Sequence, residues 1–149
     1  MIEFREARAD DVPAIVHLLA DDRLGAKRER TDDTAPYLKA FAALTAQRGN
    51  AIIVGDDRGE VVACLQLTIV PGLSRQGATR AFIEGVRVSQ SLRGKGIGEA
   101  LVRHAIDKAR AGGCRLVQLT SDKSRLDAHR FYERLGFTAS HIGMKLDLA

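Results

Sequence analysis

Three glycines at alternate positions, Gly94, Gly96 and Gly98, stand directly before a helix-forming segment and constrain this chain more than any other feature. Glycine lets the backbone adopt positive φ and approach a ligand closely. The first N–H groups of a helix have no partner inside the helix, and they attract phosphate. Arg93 and Lys95 add positive charge. The pattern predicts a strand-to-helix turn that holds a pyrophosphate, although glycines alone leave open a turn that binds nothing.

Two well-known phosphate-binding loops do not fit this segment. A P-loop needs a lysine and a hydroxyl residue after its last glycine, whereas Gly98 is followed by Glu99 and Ala100. The dinucleotide-binding fingerprint needs its third glycine one position later, in the turn after a first buried parallel strand. A different kind of phosphate-binding turn is therefore expected.

The segments around this turn alternate between strand and helix patterns. Residues 78–88 read as a strand, 97–111 as a helix with a glycine pair behind it, and 114–120 as a strand. A strand, a crossover helix and a second strand make parallel neighbours. Upstream, residues 50–70 read as two strands around a turn, typical of an antiparallel hairpin. The predicted sheet is therefore mixed.

The remaining segments complete one α/β domain over residues 1–149, because no linker or repeat interrupts the order and the length suits a single core. The predicted elements are a strand over residues 2–7, helices over 10–22, 36–48 and 127–135, and one or two final strands over 137–148.

Composition narrows the class of partner. The net charge of +4 suits an anionic small ligand, but the 23 basic residues are spread along the chain and form no stripe for nucleic acid. No apolar run has the length of a membrane span, and the first residues lack a signal-peptide pattern, so we expect a cytoplasmic protein with no membrane partner. Cys64 and Cys114 lack metal-site spacing and are interpreted as buried small hydrophobes, so no metal is predicted.

Two motifs in order resemble the GNAT superfamily of acyl-CoA N-acyltransferases. Residues 93–98 match its [RQ]-x-x-G-x-[GA] signature, and residues 128–137, AHRFYERLGF, match A-x-x-[FL]-Y-x-x-x-G-F. The resemblance covers nearly the whole chain. It implies a central, mostly antiparallel sheet that splays open between the strand ending at Val88 and the strand starting near Cys114, with helices on both faces.

The resemblance also implies acetyl-CoA as cosubstrate. Its pantetheine arm would hydrogen-bond the backbone of Val86 and Val88, and a run of amides would hold the pyrophosphate. One departure is that Arg125 stands where many relatives have asparagine, so an asparagine contact to the cofactor does not carry over. The pyrophosphate-binding residues implied are Arg93, Gly94, Lys95, Gly96, Ile97, Gly98 and Glu99.

Glu84 is the candidate general base. Strand alternation places Phe82, Glu84, Val86 and Val88 on one face, and a carboxylate among apolar neighbours has a raised pKa suited to deprotonating an alkyl amine. Relatives often have glutamate at the matching place. The alternative is an exposed Glu84 that binds a cationic group without moving protons.

Tyr132 is the candidate general acid, because a phenol can protonate a departing thiolate within hydrogen-bond reach. The matching tyrosine of the second signature commonly has that role. The alternative is that Phe131 and Tyr132 are only the apolar stripe of a short helix, with the hydroxyl at the surface.

The predicted function is transfer of an acetyl group from acetyl-CoA to the primary amine of a small molecule by direct attack. The stretch DAHRFYERLGFTASHIGMKL is also similar to bacterial aminoalkylphosphonate N-acetyltransferases, which implies small amines as acceptors. Two alternatives stay open: a protein N-terminal or lysine acetyltransferase, and a non-catalytic acyl-CoA-binding module. A homodimer is compatible with the sequence, but no motif indicates it.

Overall fold

A five-stranded sheet runs through the molecule in the order β1-β2-β3-β4-β5. The computed structural model describes all 149 residues. Neighbouring strands are antiparallel except β4 and β5, which are parallel, so the predicted mixed α/β fold is confirmed. The strands are β1 (Ile2–Glu6), β2 (Asn50–Asp57), β3 (Glu60–Val70), β4 (Thr79–Val88) and β5 (Cys114–Gln118). The helices are α1 (Val12–Ala20), α2 (Gly25–Arg28), α3 (Ala35–Ala46), the single turn α4 (Ser74–Gly77), α5 (Ile97–Ala111) and α6 (Leu126–Arg134), with 3-10 turns at Ala9–Asp11 and Gln90–Leu92.

Helices cover both faces of the sheet. On one face α5 buries Leu101 and Ala105 in a cluster that includes Ile53 of β2. On the other face α1 packs Ile15 into a cluster with Val54, the next residue of β2. Because successive residues of a strand point to opposite faces, these two clusters lie on opposite sides of the sheet. None of the helices has the length and apolar character needed to cross a bilayer.

A β-bulge interrupts β4 at Gly85. Glu84 lies opposite Gln66 of β3, but Arg87 lies opposite Cys64, so β4 has one residue more than β3 over this interval. Gly85 has φ of +64°, a left-handed value that favours glycine. The bulge shifts the face on which every later side chain of β4 lies.

This shift corrects one expectation about the site. Val86 and Val88 pack against the cluster that contains Ile83, on the α5 face of the sheet. Phe82 and Glu84 precede the bulge and lie on the opposite face from Ile83. The prediction that Phe82, Glu84, Val86 and Val88 share one face is therefore wrong.

The sheet opens where β4 and β5 part. Their parallel pairing runs from Thr79 opposite Cys114 to Phe82 opposite Gln118, and then stops. From there β4 continues to Val88, paired only with β3. The predicted splay between these two strands is confirmed.

The final strands predicted for residues 137–148 do not form. Phe137 stacks edge-on against Tyr132 with ring centroids 5.8 Å apart, but every residue from Thr138 onward is exposed and outside regular structure. A strand needs a neighbour for its N–H and C=O groups. Within the chain this segment has none, so its alternating pattern alone does not make it a strand.

Candidate active site

A cleft of about 620 Å³ lies at the opening between β4 and the start of α6. One wall is formed by residues 86–88 and Arg93, and the other by residues 124–128 and Arg130. Asp22, which follows α1, also lines the cleft. Three elements that are distant in sequence therefore meet where the sheet splays.

The turn into α5 presents a row of free backbone donors beside this cleft. The six consecutive N–H groups from Gly94 to Glu99 donate to no acceptor in the protein, and no side chain caps the helix. Gly94 and Gly96 have φ of +79° and +81°, and a methyl group added at either would meet nothing within 4 Å. Free donors at the positive end of a helix, with open space before them, fit the pyrophosphate of a nucleotide cofactor.

The two basic side chains of this turn behave differently. Arg93 donates from Nε to the carbonyl of Val88 (3.2 Å) and from Nη2 to the carbonyl of Asp21 (3.0 Å), so it joins β4 to the end of α1. Lys95 is exposed and makes no hydrogen bond or ion pair. Of the two charges, the Lys95 ammonium is the one free to meet an anion.

Tyr132 projects from α6 into a partly buried aromatic group. Its ring meets those of Phe131 and Phe137 edge-on, at centroid distances of 5.1 and 5.8 Å. Burial raises the pKa of Tyr132, an effect that the charges of Arg125 and Arg87 oppose in part. The hydroxyl has no hydrogen-bond partner in the protein. The phenol is therefore protonated at neutral pH and able to donate to a ligand.

Glu84 lies on β4 just past the point where pairing with β5 ends. Its side chain is exposed, so the apolar surroundings predicted for it are wrong. The physical reason is that the pairing of β4 with β5 ends at Phe82, so Glu84 has no neighbouring β5 residue beside it. The position beside the gap is the remaining basis for a role as base.

An ion pair missed by sequence reasoning lines the cleft. Nε of Arg87 lies 3.0 Å from Oδ2 of Asp22, and the two side chains are only 13% and 20% exposed. Burial raises the pKa of Asp22, but the N–H of Gly25 and the charges of Arg87 and Arg125 outweigh it, and the pKa falls below its usual value. Gly85 inside a strand pattern was the available signal, since it indicates a bulge and so the face of Arg87.

The model of the Acetyltransferase (GNAT) family matches residues 12–137 of this chain. The chain belongs to the GNAT family. This assignment agrees with the order of elements, the splayed strand pair and the free donors at the start of α5.

Named relatives of this GNAT protein include small-molecule enzymes. It is 41% identical to the aminoalkylphosphonate N-acetyltransferase of Salmonella typhimurium strain LT2, over 94% of this chain and 87% of that protein. It is 40% identical to the glucosamine 6-phosphate N-acetyltransferase of Trypanosoma brucei brucei, over 60% of this chain and only 59% of that protein. A crystal structure from Bacillus halodurans C-125, described as a transcriptional regulator, superposes with a TM-score of 0.96 and 47% identity, over 99% of this chain and 100% of that one.

The residue at which this GNAT chain departs from many relatives lies in the cleft. Arg125 is half-buried at the N-cap of α6, and its side chain donates no hydrogen bond. Its charge lowers the pKa of both Asp22 and Asp122. The family's usual asparagine is thus replaced by a cation with unused donors.

His129 contacts the protein backbone, and the two cysteines are at least partly buried. A ring nitrogen of His129 lies 2.8 Å from the carbonyl oxygen of Asp122, which orders the loop before α6. Cys64 is buried, as predicted, and burial raises its pKa to about 12, so its thiol stays protonated at neutral pH. Cys114 is partly buried, and burial raises its pKa as well. No group of three His, Cys, Asp or Glu side chains is placed to hold a metal ion.

Proposed function

We propose that this protein transfers an acetyl group from acetyl-CoA to the primary amine of a small molecule by direct attack. The observation that carries the proposal is the row of six free N–H groups from Gly94 to Glu99, next to the opening between β4 and β5. With a pyrophosphate held there, the pantetheine arm would run along the edge of β4 that β5 leaves free, past Val86 and Val88.

The chemistry requires a neutral amine, and an alkyl ammonium has a pKa near that of lysine, about 10.4. In this proposal Glu84 takes the proton, directly or through a water molecule. The nitrogen then attacks the thioester carbonyl carbon, the C–N bond forms as the C–S bond breaks, and the nitrogen loses its second proton to solvent to give the amide. Tyr132 donates its hydroxyl proton to the departing sulfur and regains a proton from solvent.

Glu84 and Tyr132 suit opposite ends of this transfer. Glu84 lies on the face of the sheet that carries α1, whereas Tyr132 packs against the cluster on the α5 face. A thioester in the gap would therefore have the base on the side of the incoming amine and the acid on the side of the sulfur.

The acceptor we propose carries a phosphonate or phosphate group. Arg87 and Arg125 line the cleft, and Arg125 has unused donors in the fork geometry that suits such anions. Two relatives are named for amines of this kind, an aminoalkylphosphonate and glucosamine 6-phosphate. Asp22, beside Arg87, provides a carboxylate for the ammonium group of the same molecule.

The test is a panel of amines with acetyl-CoA, following thiol release and identifying the product by mass spectrometry. The panel pairs each aminoalkylphosphonate and amino sugar phosphate with its uncharged counterpart, and adds polyamines and peptides. We expect the highest kcat/KM for an anionic small amine. Preference for a peptide would favour the protein acetyltransferase. Tight binding of acetyl-CoA with no transfer to any amine would favour the binding module.

A further inference from the structure

Arg80 is a cation on the α1 face of the sheet, and no carboxylate of the chain balances its charge. It precedes Ala81, which packs on the α5 face, so its own side chain lies on the opposite face. The side chain is half-buried and forms no ion pair. Its only hydrogen bond is a long one of 3.4 Å, from Nη1 to Oε1 of Gln118 on β5, and Nε is buried without an acceptor. A half-buried cation with so few partners is costly unless an anion binds beside it.

The guanidinium of Arg80 is held against the ring of Phe82. Its Cζ lies 5.6 Å from the ring centroid, and Phe82 is the residue between Arg80 and Glu84 on the α1 face of β4. A guanidinium that stacks on an aromatic ring keeps its edge donors available for a planar anion. Nη2 donates to no acceptor in the protein, so Arg80 has free donors beside the position of the proposed base.

The register of β4 places Glu84 between two arginines. Arg87 lies on the same face as Glu84, because its neighbours Val86 and Val88 pack on the α5 face. The order of the three side chains along β3 is given by their partners: Arg87 opposite Cys64, Glu84 opposite Gln66, and Arg80 opposite Val70. An amine that reaches Glu84 therefore has Arg87 on one side and Arg80 on the other.

We infer that Arg80 binds a carboxylate of the acceptor, on the far side of the amine from the phosphonate or phosphate group. The inference rests on the proposed function, in which Glu84 deprotonates the amine while Arg87 and Arg125 bind that group. A carbon that bears both an amine and a phosphonate has a side chain as a further substituent, and the register directs this side chain toward Arg80. A carboxylate there would accept a charge-assisted hydrogen bond from Nη2. The acceptor class is thus an aminoalkylphosphonate whose side chain ends in a carboxylate.

The first test measures binding of acceptors that differ in this carboxylate. The probes are the phosphonate analogues of alanine, aspartate and glutamate, titrated by calorimetry into the protein with coenzyme A bound. We expect the parent to bind one of the two carboxylated analogues at least about tenfold more tightly than the alanine analogue, as for one hydrogen bond between charged groups. Equal affinity for all three analogues would overturn the inference.

Two variants assign that preference to Arg80. Arg80→Gln should abolish it, whereas Arg48→Gln, which removes an exposed cation between α3 and β2, should keep it. Arg80→Lys keeps the charge without the guanidinium and should keep part of the preference. Circular dichroism checks that the variants have the parent fold. A preference that survives in Arg80→Gln, or an equal loss in Arg80→Gln and Arg80→Lys, would show that the charge of Arg80 does not bind the carboxylate.

The second test measures transfer to the same probes, and it separates this inference from the proposed function. Acetylation of all three analogues with the same kcat/KM would support the proposed transfer and contradict the role of Arg80. Tighter binding of a carboxylated analogue that depends on Arg80, without acetylation of any analogue, would support the carboxylate site and contradict the proposed transfer to these amines. We expect the highest kcat/KM for a carboxylated analogue in the parent, and no such difference in Arg80→Gln.

Discussion

Nε of Arg87 and Oδ2 of Asp22 lie 3.0 Å apart, where β4 passes the end of α1. Both atoms are buried, yet neither has a hydrogen bond of good geometry. The pair therefore satisfies its charges but not its hydrogen-bonding capacity. Such a pair in the wall of a cleft is costly to break, because the remaining charge would be buried without a partner.

Asp22→Asn should lower the free energy of unfolding at pH 7 by about 2 kcal/mol, because it leaves Arg87 without its counter-charge. The pKa of Asp22 is lowered in the folded protein. Its contribution is therefore complete above the unfolded value of about 3.9 and is lost as the pH falls through the folded pKa. Urea unfolding at pH 7 and near pH 3 should show the difference between parent and variant shrinking in acid.

The control for that change is Asp21→Asn. Asp21 is more exposed than Asp22, and its carboxylate lies as far as 3.9 Å from the nearest guanidinium nitrogen of Arg93. Asp21→Asn should lower the free energy of unfolding by less than about 0.5 kcal/mol. An equal loss from both variants would contradict a special role for the Arg87–Asp22 pair.

Gly96→Asp should weaken coenzyme A binding far more than it lowers the stability of the fold. The added carboxylate would stand in the open space before the free N–H groups, and it would repel a pyrophosphate. Any side chain at φ of +81° is also strained, at a cost of about 1 to 2 kcal/mol. Calorimetry should show affinity reduced by a hundredfold or more, an order-of-magnitude expectation for a lost phosphate site.

Gly98→Ala is the matched control within the same turn. A methyl group there would meet Val88 at 3.5 Å and Phe131 at 3.6 Å, which are ordinary contact distances. Affinity close to that of the parent is expected. If Gly98→Ala and Gly96→Asp lowered coenzyme A affinity equally, any side chain in the turn would weaken binding. The negative charge in front of the free N–H groups would then not be the cause.

Glu84→Gln tests the proposed base. The amide keeps the shape of the side chain but accepts no proton, so kcat should fall by roughly 10²-fold and its rise with pH should flatten, while acetyl-CoA affinity is unchanged. Glu60→Gln changes an exposed glutamate at the start of β3 and should have no effect. A parental pH profile in Glu84→Gln would assign Glu84 to binding the ammonium group instead.

Tyr132→Phe tests the proposed acid, because it removes the hydroxyl and keeps the ring that packs on Phe137. Turnover should fall by roughly 10²-fold to 10⁴-fold with acetyl-CoA affinity intact. Tyr37→Phe removes the only other tyrosine hydroxyl, which hydrogen-bonds Glu29, and should leave the chemical step unchanged. A loss under about tenfold in Tyr132→Phe would mean that water or the substrate ammonium protonates the sulfur.

Arg125→Gln tests the anionic acceptor. Removing this cation should raise KM for an aminoalkylphosphonate by about tenfold to a hundredfold, as expected for a lost charge-assisted hydrogen bond. KM for the matched amine without the phosphonate should change little, since it has no group for the guanidinium to bind. Equal changes for both amines would place Arg125 at the cofactor or in the fold.

Short sequence patterns correctly predicted the helices and hairpins whose residues are close together in the chain. The helix predicted for residues 97–111 begins and ends there, because glycines flank it and its apolar spacing is regular. The hairpin of β2 and β3 follows in the same way from its turn, where Arg58 and Gly59 both have positive φ. Two signature motifs then identified the family.

The features that sequence reasoning missed depend on contacts between distant segments. The bulge at Gly85 is defined only by the register of β4 against β3. Alternation alone therefore placed Glu84 on the same face of the sheet as Val86, which is wrong. The pairing of Arg87 with Asp22 follows from that same shift. Residues 138–149 have a strand pattern, but a strand forms only where another strand pairs with its backbone, and the pattern does not provide that partner.

In the proposed reaction, Arg93 couples the cofactor site to the acceptor site. Its guanidinium binds the carbonyl of Val88, in the cleft wall, and the carbonyl of Asp21, one residue before Asp22. A ligand that competes for the Val88 carbonyl must also alter how the end of α1 is held. Because such coupling is reciprocal, an acceptor that fixes the segment around Asp22 changes cofactor affinity by the same factor. A single side chain thus couples the affinities of the two substrates, whichever of them binds first.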